Sequence, residues 1–237
     1  MRRIVLAFQF LTRLPMPRVK ASEEDFAASM RWFPLVGLVI GAIVAAAHWA
    51  GAQGDPWLAA LVALVVWVWI TGALHLDGLS DLADGMGAAH GDRQRLLEVM
   101  RDPHVGSFGV TAIALQLIAK LILLHALIQT AWIGLALVPF AARMGPLVWS
   151  RWLLPLSAGL GARFVTAVRP IDLSPWFVAL VAACWFSPSL ALTPVLIAAY
   201  ALWLERKLGG VSGDCHGAGI ELLETGLLLA LVIAGSL

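Results

Sequence analysis

This chain has little charge. Asp, Glu, Lys and Arg make up 13% of its 237 residues, about half the share in a soluble domain. Apolar residues make up 60%. That balance excludes a water-soluble globule and leaves an integral membrane protein. Cysteine is scarce too, with two residues. Cys184 falls in an apolar run and Cys215 in a polar loop, so no disulfide between them is expected, and no cysteine or histidine pairing has metal-ligand spacing. A cleavable signal is not expected either. The apolar run Ile4–Leu11 is brief, and no small-residue cleavage pattern lies between Arg13 and Arg18. The start of the chain reads instead as an amphipathic segment at the membrane interface, with Phe8, Phe10 and Leu11 toward lipid or protein. No repeat, low-complexity tail or linker divides the chain, so residues 1–237 read as one membrane domain.

Long apolar runs are what it has. About 20 apolar residues cross the hydrocarbon core. Phe33–Ala50, Trp57–Leu74, Phe108–Ile128, Trp132–Leu154 and Leu222–Leu237 are candidates, with Lys120 inside the third and Arg143 inside the fourth. Pro175–Leu204 is too long for one span and short for two, and Ser187, Pro188 and Ser189 divide it into two short, irregular spans. Basic residues test the count. With seven spans, 14 of the 16 Lys and Arg fall in loops on one side: those from Arg2 to Arg31, Arg93 to Arg101, Arg151 to Arg169, and Arg206 with Lys207. Six spans would put Arg206 and Lys207 on the wrong face. Basic loops stay in the cytoplasm. The expected architecture is therefore all-α: a polytopic bundle of about seven spans in the cell's inner (plasma) membrane, with its motif loops facing the cytoplasm.

Between Trp57 and Asp92 there is no Lys or Arg, yet the segment from His75 to Gly85 carries Asp77, Asp81 and Asp84. At about 100° per residue, spacings of four and seven place the three carboxylates within roughly 60° on one helix face. Such a stripe is self-repelling unless a cation sits on it, and a hard divalent ion with oxygen ligands is the usual reason. The bland alternative is a solvated acidic face, and the flanking Gly78, Gly85 and Gly87 argue against it by keeping backbone open to a ligand. A second polar stretch carries Arg93, Glu98, Arg101, Asp102 and His104. A third runs from Gly209 to Glu224, with Gly210, Gly213 and Asp214 before the last span. The expected topology gathers all three on one face. A glycine-rich loop leading into a helix suits an anion, and arginines suit phosphate oxygens. Together these describe a membrane enzyme acting on a diphosphate with a divalent metal.

The stretches Gly72–Gly85, Leu97–Gly109 and Gly209–Glu221, with Phe10–Pro17 and Trp32–Gly41, resemble the cobalamin synthase family, the adenosylcobinamide-GDP ribazoletransferases. The resemblance runs from end to end. Ser107 and Ser212 stand where Thr is expected, and Cys215 with His216 is unusual before Gly217. The resemblance implies that α-ribazole, or its 5′-phosphate, is joined to adenosylcobinamide-GDP with release of GMP, and that magnesium is used. On this reading Asp77, Asp81 and Asp84 hold Mg2+. Asp81, Arg101 and Asp214 carry catalysis. Arg143, Gly210, Gly213 and His75 contact substrate. Lipid surrounds the protein, a homo-oligomer is compatible with it, and no nucleic-acid partner is expected.

Three other readings are weighed against this one. A secondary transporter would use Lys120 and Arg143 with the carboxylates as an ion path, although the carboxylates sit at one face. A CDP-alcohol phosphotransferase would need a different arrangement of Asp residues. A scaffold would have no use for the stripe. Lys120 can also pair structurally with an acid on another helix.

Overall fold

The computed structural model describes residues 1–89, 92–127, 131–156 and 167–235. The elements are helical: α1 (Arg2–Leu11), α2 (Glu23–Ser29), α3 (Phe33–Ala52), α4 (Pro56–Thr71), α5 (Leu74–Ala89), α6 (Arg93–Val99), α7 (Ser107–Ala126), α8 (Trp132–Ala142), α9 (Gly145–Trp152), α10 (Pro170–Phe186), α11 (Thr193–Leu208) and α12 (Gly213–Gly235). Tight 3-10 turns cover Met30–Trp32 and Pro188–Leu192. The expected all-α membrane bundle is what forms. His90, Arg163 and the ends of two expected spans, Ile128 and Leu237, lie outside the described residues.

Among the described residues five helical stretches are long and apolar enough to cross a membrane: Glu23–Ala52, Ser107–Ala126, Trp132–Trp152, Pro188–Leu208 and Gly213–Gly235. The pair α4–α5 passes as a sixth, but it is bent by 84°. Helix α10 is apolar and shorter, at 17 residues. Contacts give the direction of each pass. At one end, His48 Nε2 meets the Leu124 carbonyl at 3.0 Å, and the Trp57 ring stacks on His125 at 3.7 Å. Ser189 donates to the Ala230 carbonyl at that end, at 3.4 Å. At the opposite end, Arg31 pairs with Asp172 at 3.1 Å, and Tyr200 donates to the Cys215 carbonyl at 2.8 Å. The directions of α3, α4, α7, α8–α9, α10, α11 and α12 therefore alternate. The break at Ser187, Pro188 and Ser189 is a turn between two helices that run in opposite directions.

Two local features set the site. The first is the end of α4. Gly72 has φ 61° and Ala73 has φ 59°, both left-handed, so the helix cannot continue straight. Helix α5 leaves at 84° and packs against the last helix, α12. The sequence expectation placed the carboxylates directly after a span, and the sharpness of this bend was not part of it. The second is the contact of α3 with α8. Gly37 and Gly41, four apart on one face, lie directly against Pro139, Phe140 and Ala136 backbone, which is how small residues let membrane helices approach. Gly41→Val is expected to push the two helices apart and lower stability by about 2 kcal/mol or more. A thermal melt in detergent checks this, with Gly54→Ala, where a new methyl would meet mainly the flexible end of the Leu58 side chain, as the little-affected control.

Helix α1 packs by its apolar stripe. Ala7 and Leu11 are buried, and the Phe10 ring stacks on Phe33 with centroids 5.9 Å apart. Arg2 and Arg3 reach Asp25 of α2 at 3.4 and 3.1 Å.

Candidate active site where two helices cross

Helices α5 and α12 cross on glycine. A Cβ on Gly78 would stand 2.7 Å from the Asp214 carbonyl oxygen, and one on Gly217 would stand 3.3 Å from the His75 Cα. With hydrogen in place of a side chain, the two backbones approach closely. Asp77 and Asp214, about 140 residues apart in sequence, thereby line one pocket of about 140 Å³. Phe10, Leu11, Phe33 and Ile220 give it an apolar wall, and His75, Asp77, Gly213, Asp214 and His216 supply its polar part.

Asp81 follows one turn after Asp77. Partial burial and then the charges of Asp77, Asp214 and Asp84 push its carboxyl up from 3.8 to about 6. Four acids thus share one field, with no basic side chain between Trp57 and Asp92 to offset it. Among the described residues no group of three or more His, Cys, Asp or Glu is arranged to hold a metal ion. Magnesium does not need one: it keeps several waters and is bound by one or two carboxylates together with substrate phosphates. The mutually repelling carboxylates around Asp81 fit that mode.

Asp84 is placed differently from the other two. It is buried, and its two oxygens accept the Gly106 amide at 2.8 Å and the Gly109 amide at 2.9 Å. It therefore caps the start of α7, a role that local spacing does not reveal because the partners are more than 20 residues away. Arg101 follows α6, which packs on α5 where Met100 and Leu96 cover Gly85. Its side chain is exposed and has no ion-pair partner among the described residues. A Cβ on Gly213 would meet nothing within 4 Å, whereas one on Gly210 would. Gly210 lies against the Leu154 carbonyl, and next to it Val211 exchanges two hydrogen bonds with Leu154 and Leu156, at 2.8 and 3.0 Å. Gly210 thus allows a close approach of two chain segments.

Arg143, expected to contact substrate, has no exposed surface. Its guanidinium donates to Glu224 at 2.8 Å and to the Pro139 carbonyl at 2.9 Å, and it reaches His75 Nδ1 at 3.5 Å. A buried cation inside a bundle needs an acid, and Glu224 is that acid. Lys120 is held in the same way, 2.7 Å from Glu221 and 2.5 Å from Glu224, with its ammonium 4.5 Å from the centre of the Trp67 ring. Gln116 adds a bond to Glu221 at 2.9 Å. The two cations and two carboxylates balance. Glu221 and Glu224 were not singled out from sequence. Two cations inside apolar runs and two acids three apart at the head of the last span were the available signal.

His75 links this network to the pocket. Its Nε2 is buried without a hydrogen-bond partner. His216, singled out in the sequence only as unusual, also lines the pocket and bonds Ser150 Oγ through Nε2 at 3.2 Å.

Fold and site together define a helical membrane protein with an acidic, glycine-lined pocket where α5 and α12 cross. The chain belongs to the cobalamin-5-phosphate synthase family, whose model matches residues 3–232. It is 61% identical over 99% of its length to a protein of Novosphingobium aromaticivorans named adenosylcobinamide-GDP ribazoletransferase, and covers 98% of that relative. Proteins of the same name from Laribacter hongkongensis and Brevibacillus brevis are 52% and 37% identical, covered to 98% each, over 99% and 98% of this chain. No solved structure matches the chain.

Proposed function

We propose that the protein joins adenosylcobinamide-GDP to α-ribazole, or to its 5′-phosphate, releasing GMP and forming adenosylcobalamin or its 5′-phosphate. One observation carries this reading: the glycine crossing that brings Asp214 to the Asp77–Asp81 face, in a chain whose relatives bear the name of that transferase.

The acceptor hydroxyl oxygen forms a new bond to the phosphorus that bears the corrinoid arm. The bond from that phosphorus to the oxygen of the GMP phosphate breaks, and the hydroxyl gives up its proton. Asp77, Asp81 and Asp214 would hold a magnesium ion together with the donor phosphates. The ion would neutralise charge on the departing phosphate. Asp84, with both oxygens taken by amides, would support this set as a helix cap. Open backbone at Gly213 lets a phosphate approach the positive end of α12. Arg101 is free to offer a two-pronged contact to phosphate oxygens. His75, held from behind by Arg143, offers its unpaired Nε2 to substrate. The apolar wall of Phe10, Leu11 and Phe33 excludes water, so that the hydroxyl of α-ribazole is favoured over hydrolysis.

Purified protein in detergent is expected to release GMP from adenosylcobinamide-GDP only when α-ribazole and magnesium are both present. A folded preparation that releases none with both substrates and the metal would sink the assignment.

The same reading places seven spans in the inner membrane, with the pocket open to the cytoplasm. The support is the alternation of helix directions and the clustering of basic residues. In a background lacking Cys184 and Cys215, His104→Cys and Lys207→Cys are expected to react only with reagent on the cytoplasmic side, and Gln53→Cys only from outside. Labelling of Lys207→Cys from outside would separate the two motif loops and end the shared-site model.

A further inference from the structure

A second cavity, of about 650 Å³, lies on the other face of the turn at Met30–Trp32. Met30 and Phe33 face the active-site pocket, while Arg31 and Trp32 face this groove. Four arginines line it, Arg2, Arg3, Arg31 and Arg169, against two carboxylates, Asp25 and Asp172. Each carboxylate is shared by two arginines at 3.1 to 3.4 Å, which leaves an excess of two positive charges. Arg2 and Arg169 keep about 60% of their side chains exposed, so their remaining N–H groups are free to take an anion.

The groove also opens onto an apolar strip. Ile171 lines it at the start of α10. Along the same face follow Val178, Val181 and Trp185, exposed by 71, 70 and 87%. Spacings of seven, three and four put these side chains on one helix stripe, directed away from the bundle. A soluble phosphate has no use for such a strip, but acyl chains do.

We propose that this groove is a binding site for an anionic phospholipid, with the phosphate held by the arginines and the chains lying along α10. Basic pockets between membrane helices recognise charged head groups in this way. The occupant would join the first turn of α1, through Arg2 and Arg3, to the start of α10, through Arg169. The other end of α1 carries Phe10 and Leu11, which wall the active-site pocket, so lipid at this site would steady that wall. The inference needs the membrane setting and not the reaction assigned above.

Native mass spectrometry of the detergent-purified protein tests it. Phosphatidylglycerol is expected to remain bound at higher collision energy than phosphatidylcholine. Arg2→Gln with Arg169→Gln should weaken that preference by roughly ten- to thirtyfold, at about 1 kcal/mol per arginine. Arg95→Gln, outside the groove, should leave it intact. Arg169→Gln alone should give an intermediate loss, and it decides the matter if the double variant does not fold. Equal retention of the two lipids by the parent protein overturns the proposal, as does undiminished phosphatidylglycerol binding in the variants. Displacement of the lipid by equimolar glycerol 3-phosphate would make this a soluble-phosphate site and overturn it too.

Discussion

Asp81→Asn is expected to lower GMP release by about 100- to 1000-fold, the loss of several kcal/mol of charge stabilisation at the departing phosphate. The substitution keeps shape and removes a formal charge. It also relieves strain, because burial and then the charges of Asp77, Asp214 and Asp84 hold the Asp81 carboxyl above its ordinary range. The folded protein should therefore melt no lower than its parent, and it should require more magnesium to reach its residual rate. Asp77→Asn and Asp214→Asn should behave alike. Asp84→Asn should not. An amide in its place can accept from Gly106 or Gly109 through only one oxygen, so about 1–2 kcal/mol of stability is expected to go, with turnover kept within a few-fold. Full turnover in Asp77→Asn, Asp81→Asn and Asp214→Asn would reduce the acidic face to a solvated one.

The contrast between Asp81 and Asp84 also marks what the sequence could say. Helical spacing put both on one stripe, and the stripe exists. Spacing says nothing of partners that arrive from another helix, and the amides that occupy Asp84 come from the start of α7. Gly210 and Gly213 read alike in the loop, but one is pressed against Leu154 and the other is open. Only tertiary contact separates them. The apolar runs located most of the long helices, because burial in lipid leaves a strong one-dimensional signal. The bend after α4 left almost none, since Ala73 takes a left-handed conformation that favours glycine. Arg143 shows the same limit, since its partner Glu224 comes from another helix. A cation inside a span was read as facing substrate, and the acids that neutralise it lay unnoticed at the head of the last helix.

That pairing has the second large consequence. Glu224→Gln is expected to destabilise the protein by about 3–5 kcal/mol. Glu224 has no exposed surface and receives both Lys120, at 2.5 Å, and Arg143, at 2.8 Å. Glutamine preserves the volume and one acceptor, so the change isolates charge. It would leave two buried cations facing Glu221 alone, in a setting where water cannot compensate. Four helices meet at this cluster, α7 through Lys120, α12 through both glutamates, and α8 and α5 through Arg143 and His75, so the damage should spread across the bundle. The expected readout is a lower melting temperature in detergent and a smaller folded fraction on extraction. A compensating change separates charge from packing. Lys120→Met removes one cation, and in combination with Glu224→Gln it should restore about 1–3 kcal/mol relative to the additive sum. If Glu224→Gln melts with the parent, or if Lys120→Met brings no recovery, the ion cluster does not hold the bundle together, and the firm backing it gives to His75 at the pocket would be lost with it.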